Sequence, residues 1–355
     1  MPTNQALREQ IAQRLYQELG ALAESAAKQL PVAADPGTDL ADPDHSPDHL
    51  QQHLLALANA VLMNSPALFE GHVLQFSQQL GPAAITEQLA ALRQALLLRF
   101  TVGEYVLVAS ILSAALVALS APLAAALSPV AEAETKSPET TRFASLTADY
   151  LTLLLASDRT AAQRLLLAEA EAGTDVRDLY LHVLQPAQRE VGTRWHRGEI
   201  SVAEEHYCTA ATAGVMAQLQ PYFQRTPRNG RRLLAACVAG DLHTIGLQMV
   251  ADFLEYDGWD VSYLGASTPL DSIRRMIADQ GVSLVLTAAS MPHHVPLLRE
   301  LVEALRRDPA TRHVRVMVGG RPFVYDADLW ERTGADAWAA SADEAVVEAR
   351  KLFGK

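Results

Sequence analysis

Two short stretches hold the residue types that could do chemistry. In GDLHTIG, residues 240–246, Asp241, His243 and Gly246 form the pattern D-x-H-x-x-G. A carboxylate beside an imidazole orients it through one ring nitrogen and polarises it, which leaves the other nitrogen for a metal. Taken alone, the histidine reads equally as a cap on the helix that follows. In TRWHRGEISVAEEHY, residues 193–207, Trp195 of the pair Trp195-His196 is followed after nine intervening residues by Glu205-His206. Those four side chains either face a ligand or decorate an ordinary amphipathic helix.

The elements that must position these groups follow from periodicity. Four helical patterns, at 143–156, 158–171, 174–196 and 201–224, have lengths and short connections suited to an antiparallel bundle. Gly198 and Ser201 mark the turn between the last two, with Ser201 as N-cap and Glu204 completing a capping box. Trp195 and His196 then sit at one end of the bundle, close to Glu205 and His206 in the first turns of the next helix. After TPRNGRR the period changes. RLLAACVAG, WDVSYLG, VSLVLTAAS, VRVMVGG and ADAWAAS read as strands and alternate with helical segments. Five such units make a doubly wound parallel sheet of flavodoxin-like or Rossmann type.

Ligands of such sheets bind in the crevice at the C-terminal strand ends. The turn after the first strand lacks the G-x-G-x-x-G of a dinucleotide site and offers His243 instead. Thr287 and Ala289 after the third strand, and Gly319 and Gly320 after the fourth, are small, and Gly246 lets the first helix stand back. Together they leave a slot beneath His243 for a long ligand tail.

GDLHTIGLQMVADFLEYDGWDVSYLGASTP, followed by VGG, resembles the cobalamin-binding domain shared by methionine synthase, corrinoid methyl carriers and cobalamin-dependent photoreceptors. The family pattern is D-x-H-x-x-G, then S-x-L or S-x-T, then G-G; Thr287 stands here where the family has serine. With the bundle included, the resemblance covers residues 143–355. It implies that His243 is the lower axial cobalt ligand, that Asp241 is its hydrogen-bond partner, and that the nucleotide tail lies in the slot. Trp-x9-Glu-His in the cap looks like the signature of the adenosylcobalamin photoreceptors. That implies that Trp195 shields adenosyl, that Glu205 and His206 line its pocket, and that His196 takes the upper cobalt position after light has expelled adenosyl. A corrinoid carrier for methyl transfer and a non-photoactive cobalamin sensor are the competing expectations.

Ahead of the bundle, residues 1–140 are an all-α pattern broken by PVAADPGTDLADPDHSPDH. They resemble the helical, globin-like sensor region found before some cobalamin domains, which leaves three expectations: biliverdin or another bilin as second chromophore, haem, or no ligand, with the histidines on an ordinary partly solvated amphipathic face. Asp48, His49, His53 and His72 are the candidate contacts, and the lack of cysteine in this region excludes thioether attachment. The expected organisation is 1–140 sensor-type domain, 141–228 four-helix cap and 229–355 cobalamin-binding domain, a multidomain α and α/β protein.

Composition sets the remaining bounds. The 355 residues are 49% hydrophobic and 20% charged, ordinary for a globular chain. A net charge of −12 argues against direct nucleic-acid binding, which needs concentrated Lys and Arg. The two cysteines, Cys208 and Cys237, lie in apolar surroundings and read as buried reduced thiols. The N-terminus shows no signal-peptide pattern, so the expected location is the cytoplasm. Tyr105 to Ala131 carries no charge and is long enough to span a bilayer, but Pro122 interrupts it and Glu104 and Glu132 flank it, so a buried soluble helix is expected and no membrane. No kinase, cyclase or phosphodiesterase signature is present, so the chain is expected to be no enzyme, to self-associate as a homo-oligomer, and to signal through a separate effector protein.

Overall fold

The structure is a computed structural model that describes residues 4–30, 47–120, 138–223 and 226–354. Both breaker-rich links, and the uncharged run beyond Ser120, fall largely outside the described residues. The chain forms two compact units: Met1–Val130, Ser290–Glu300 and Arg321–Thr333 in the first, and Ala131–Ala289, Leu301–Gly320 and Gly334–Lys355 in the second.

The first unit is helical: α1 (Asn4–Gln17), α2 (Leu19–Ala27), α3 (Pro47–Leu62), α4 (Pro66–Leu80), α5 (Pro82–Leu97) and α6 (Val102–Ser120). Ser65 and Pro66 start α4 as their types demand, but the Ser65 hydroxyl hydrogen-bonds Asp326 instead of capping the helix. Gly71 on α4 is required by packing, because a Cβ there would lie 2.4 Å from the Tyr325 ring. The α6 helix differs from the expected buried one. Glu104, Val108, Ile111, Leu112, Ala115 and Leu119 are buried, while Val102, Val106 and Val117 are exposed. By length and composition α6 is, among the described residues, one helix apolar enough to cross a membrane.

The second unit opens with α7 (Pro138–Leu155), α8 (Arg159–Glu171) and α9 (Val176–Leu179). A π turn over Tyr180–Leu184 then leads into α10 (Gln185–His196), and α11 (Val202–Leu219) follows. The capping box at the head of α11 is present: Ser201 Oγ accepts from Glu204 N, and the Glu204 carboxylate accepts from Ser201 N at 2.7 Å. These helices are the expected four-helix cap, with its third helix wound through the π turn.

The strands are β1 (Arg232–Ala236), β2 (Asp260–Gly265), β3 (Leu284–Ala288), β4 (Arg315–Gly319) and β5 (Ala337–Ala339). They form one parallel sheet in the order β2-β1-β3-β4-β5. Helices α12 (Ile245–Tyr256), α13 (Leu270–Gln280), α14 (His294–Arg307), α15 (Arg321–Tyr325), α16 (Leu329–Thr333) and α17 (Ala342–Leu352) connect or follow them. The strands are apolar runs and not alternations because helices cover both faces. Chain direction across the sheet reverses between β1 and β3, which is where ligands of this topology bind.

The cap and the sheet share a core. Met249 and Phe253 of α12 and Ala342 of α17 are buried in the same cluster as Tyr150, Tyr180, Val191, Met216 and Phe223 of the cap. One face of α12 is apolar enough to serve the sheet while its opposite face serves the cap.

Gly320, expected to widen the slot, is needed for a different reason. Its φ is +109°, and a Cβ there would sit 2.1 Å from the Ala289 carbonyl oxygen, so the ends of β3 and β4 meet backbone to backbone. Gly320→Ala is expected to lower unfolding stability by about 2–3 kcal/mol, measured by urea titration; a midpoint within error of the unsubstituted protein would refute the close approach.

Candidate cobalamin site

Asp241 and His243 lie on the loop that joins β1 to α12. Asp241 is fully buried, and its Oδ1 accepts from the His243 backbone N–H at 3.0 Å and pairs with His243 Nδ1 at 2.9 Å. Two bonds to one carboxylate oxygen fix both the loop and the ring. The His243 side chain itself is 63% exposed. With Nδ1 committed, Nε2 is the nitrogen left for a ligand. The hydrogen bond from Asp241 raises the imidazole's pKa above its ordinary value against the lowering effect of burial, with the Glu205 carboxylate adding to the rise. Glu205, in the first turn of α11, therefore lies within electrostatic reach of the ring.

The cap supplies the other side chains. Trp195 and His196 end α10 with ring centroids 4.7 Å apart, and the Trp195 ring is exposed. Glu205 Oε2 pairs with His206 Nδ1 at 2.5 Å, and its Oε1 accepts from the Thr209 hydroxyl at 2.8 Å. Thr209 also lies 3.3 Å from Gln188 Oε1, Gln188 Nε2 donates to Thr212 Oγ1 at 2.7 Å, and Thr212 bonds the buried Tyr150 hydroxyl at 2.9 Å. Glu205 is thus the outer end of a polar chain that runs into the bundle core. Spacing alone could have found Thr209, one helical turn from Glu205. Gln188 and Tyr150 come from other helices and leave no such trace.

Thr287 is the penultimate residue of β3, not part of the turn after it. It is 1% exposed, and its hydroxyl is buried without a hydrogen-bond partner in the structure. Unpaired buried hydroxyls are costly, so the group fits a site that a ligand's polar atoms complete. A Cβ at Gly246 meets nothing within 4 Å, consistent with open space there, while Gly319 and Gly320 serve backbone contacts and Ala289 is buried. The exposed imidazole on a buried carboxylate, together with the unpaired Thr287 hydroxyl, fits cobalamin bound through His243. Cys237 and Cys208 are both free and buried, and burial pushes the Cys237 thiol up to about 12.

These positions coincide with the matches to known proteins. A B12 binding domain family matches residues 231–350, and a second B12 binding domain family matches residues 146–220. Dimethylamine corrinoid protein 3 of Methanosarcina mazei is 31% identical over 170 residues, covering 46% of this chain and 98% of that protein. The chain belongs to the cobalamin-binding corrinoid proteins. Dimethylamine corrinoid protein 1 of Methanosarcina acetivorans is 28% identical over 191 residues, covering 52% of the chain and 87% of that protein. The monomethylamine corrinoid protein of Methanosarcina barkeri shares the fold, with a TM-score of 0.53 at 21% identity, covering 59% of this chain and 98% of its own. These relatives are dimethylamine and monomethylamine corrinoid proteins by name, not photoreceptors. Residues 1–140 of this corrinoid protein lie outside both family matches.

Of the candidate bilin contacts, His53 and His72 are brought together and engaged with each other. His53 Nδ1 pairs with His72 Nε2 at 2.8 Å, and His53 Nε2 with Gln88 Oε1 at 2.8 Å. Since the glutamine oxygen only accepts, His53 donates through Nε2 and accepts from His72 through Nδ1. Both ring nitrogens of His53 are therefore spent inside the helical core, with none left for a chromophore. His49 packs edge-on to Phe76, and Asp48 is exposed. His49, His53 and His72 thus gather around the Phe76 ring, while Asp48 stands at the surface.

Two measurements follow from this geometry. Asp241→Asn is expected to weaken cobalamin binding by about 10–100-fold and His243→Ala to remove the histidine-ligated absorption spectrum; unchanged affinity and spectrum in both variants would overturn the assignment. Burial holds His53 down to about 4 and His72 well below its ordinary value. A histidine depressed in the folded state contributes stability above its unfolded pKa of about 6.5 that is lost as pH falls toward 4. For His53 the loss is on the order of 3 kcal/mol. Thermal unfolding of the full chain at pH 7 and pH 4.5 checks this, with His53→Gln showing the smaller change.

Proposed function

We propose that this corrinoid protein is a carrier that holds cobalamin on His243 and presents an exchangeable one-carbon ligand on its upper face to a partner methyltransferase. The observation that carries the reading is the Asp241–His243 couple, a buried carboxylate that aims an exposed imidazole at the ligand crevice. The relatives that match the chain, dimethylamine corrinoid proteins by name, support it. Cobalamin, when bound, supplies a cobalt centre whose upper ligand can be exchanged. The protein's part is to bind, orient and shield. Asp241 fixes the imidazole tautomer, Thr287 offers its unpaired hydroxyl to the tail, and Trp195 with Glu205 covers the opposite side. No acid–base or nucleophilic step is asked of the chain, so it acts as a carrier and not as an enzyme in its own right.

A second reading rests on a specific feature, the grouping of Trp195-His196 with a Glu205-His206 pair that Thr209 anchors. An apolar ring edged by polar groups suits a larger upper ligand such as adenosyl, and His196 stands ready to replace it in a light-sensing regulator that acts through an effector protein. The two readings separate in one experiment. The full-length protein is titrated in the dark with methylcobalamin and with adenosylcobalamin, then illuminated while absorption is recorded. The carrier reading expects methylcobalamin to bind at least about tenfold more tightly, equivalent to about 1.4 kcal/mol, and His196→Ala to leave the illuminated spectrum unchanged. Equal or tighter adenosylcobalamin binding, with a light-formed bis-imidazole spectrum that His196→Ala abolishes, sinks the carrier reading in favour of the photosensor. Binding of neither corrinoid defeats both.

A further inference from the structure

Asp252 is a carboxylate in an apolar place. It lies on α12, the helix that begins directly after the His243 loop, and is 8% exposed among Tyr180, Phe223, Met249 and Phe253. Both of its oxygens are held by the cap. The Tyr180 hydroxyl donates to Oδ2 at 3.0 Å, and Gln220 Nε2 donates to Oδ1 at 2.7 Å. Tyr180 opens the π turn and is fully buried, with its hydroxyl also 3.3 Å from the Met216 carbonyl of α11. Gln220 directly follows α11. One carboxylate thus joins the π turn, the end of α11 and the ligand-bearing helix.

Packing alone does not call for such a group. A hydrophobic side chain of similar volume would fill the site without the desolvation cost of a carboxylate. What the carboxylate adds is a joint whose strength depends on its surroundings: it is costly when closed and buried, and freely hydrated when opened. π turns are themselves concentrated at functional positions. We propose that Tyr180, Asp252 and Gln220 form a positioning latch that seats the cap on α12, and that its release lets the lid residues Trp195, His196 and Glu205 leave the face above His243. This rests on the reading that the upper ligand is exchanged beneath the lid, and it assigns the lid's hold to residues remote from the cofactor.

The charge environment supports the latch. Burial first, with Glu255 adding to it, pushes the Asp252 carboxyl up to about 7, against the lowering effect of the Tyr180 and Gln220 hydrogen bonds. The titratable groups that act with it are Tyr180 from the cap, Glu255 on its own helix and Tyr263 on β2. Arg177 is paired with Asp175 and lies over the Tyr256 ring, and Arg350 of α17 is paired with Asp257 at the end of α12. A carboxyl whose pKa is raised only while closed binds its proton better in the closed arrangement. Closure is therefore favoured below the ordinary carboxyl range and weakens as pH rises toward and through 7. Between pH 6 and pH 8 the closed-to-open ratio falls by about tenfold.

The test is hydrogen–deuterium exchange of the full chain without cofactor, read at residues 176–184 and 216–222 and corrected for intrinsic exchange. In the unsubstituted protein, protection is expected to fall by about tenfold from pH 6 to pH 8. Asp252→Asn, which mimics the protonated form, should retain the pH 6 level at both values. Tyr180→Phe keeps the carboxylate but loses a donor, and should lower protection at both. Equal protection of the unsubstituted protein at the two pH values overturns the proposal, as does a tenfold fall that persists in Asp252→Asn or an unaltered pattern in Tyr180→Phe. Cobalamin titration of the same variants separates the two readings: loss of the latch leaves the histidine-ligated spectrum intact, whereas failure of the carrier reading shows in the unsubstituted protein's own corrinoid preference.

Discussion

The carboxylate of Asp241 is the group around which the rest of the site is arranged. It is buried completely, and it accepts from both the backbone and the ring of the residue two positions on. A buried carboxylate requires such partners to offset its lost hydration. The same bonds that satisfy it hold His243 with Nδ1 engaged and Nε2 free. The loop conformation, the tautomer and the direction of the imidazole are consequences of one desolvated oxygen.

The sheet places this loop and the cap covers it. Because the order reverses between β1 and β3, the loop after β1 and the end of β3, which carry His243 and Thr287, border the same crevice although 44 positions separate the two residues. The α12 helix starts at the ligand loop and then buries Met249 and Phe253 in the cap core. A displacement of the cap is therefore a displacement against the helix that follows the His243 loop, and the hydrogen bonds of Tyr180 and Gln220 to Asp252 lie across this face. The helical unit formed by the N-terminal segment is built on different terms, with a histidine pair turned inward and hydrogen-bonded within its core.

Much of this was legible in the residues. The five strands and their intervening helices were evident from apolar runs bounded by Gly, Asp and Pro, and the capping box at Ser201 from a serine three positions before a glutamate. The D-x-H-x-x-G spacing indicated the Asp241–His243 bond because the contact is local, two residues apart on one loop. Thr209 was within reach of the same reasoning as a one-turn neighbour of Glu205. The small size of Gly320 is apparent in the sequence while its backbone partner, Ala289, is not, so only the fold shows the close approach that requires a glycine there. The histidines of α3 and α4 suggest a ligand by residue type, but only the approach of the two helices shows that His53 and His72 bind each other.

The sequence by itself determined the local order: which segments are strands and helices, where helices begin, and which short-range pair holds the imidazole. Those features depend on interactions within a few residues, and residue type and spacing set them. Only the tertiary structure decided which distant groups meet. It placed Glu205 within electrostatic reach of His243, left the Thr287 hydroxyl without a partner at the crevice, and joined Tyr180 and Gln220 to Asp252 across the cap–sheet core. The physical reason is that such contacts arise from chain crossings and packing between surfaces far apart in sequence, where spacing carries no information about distance.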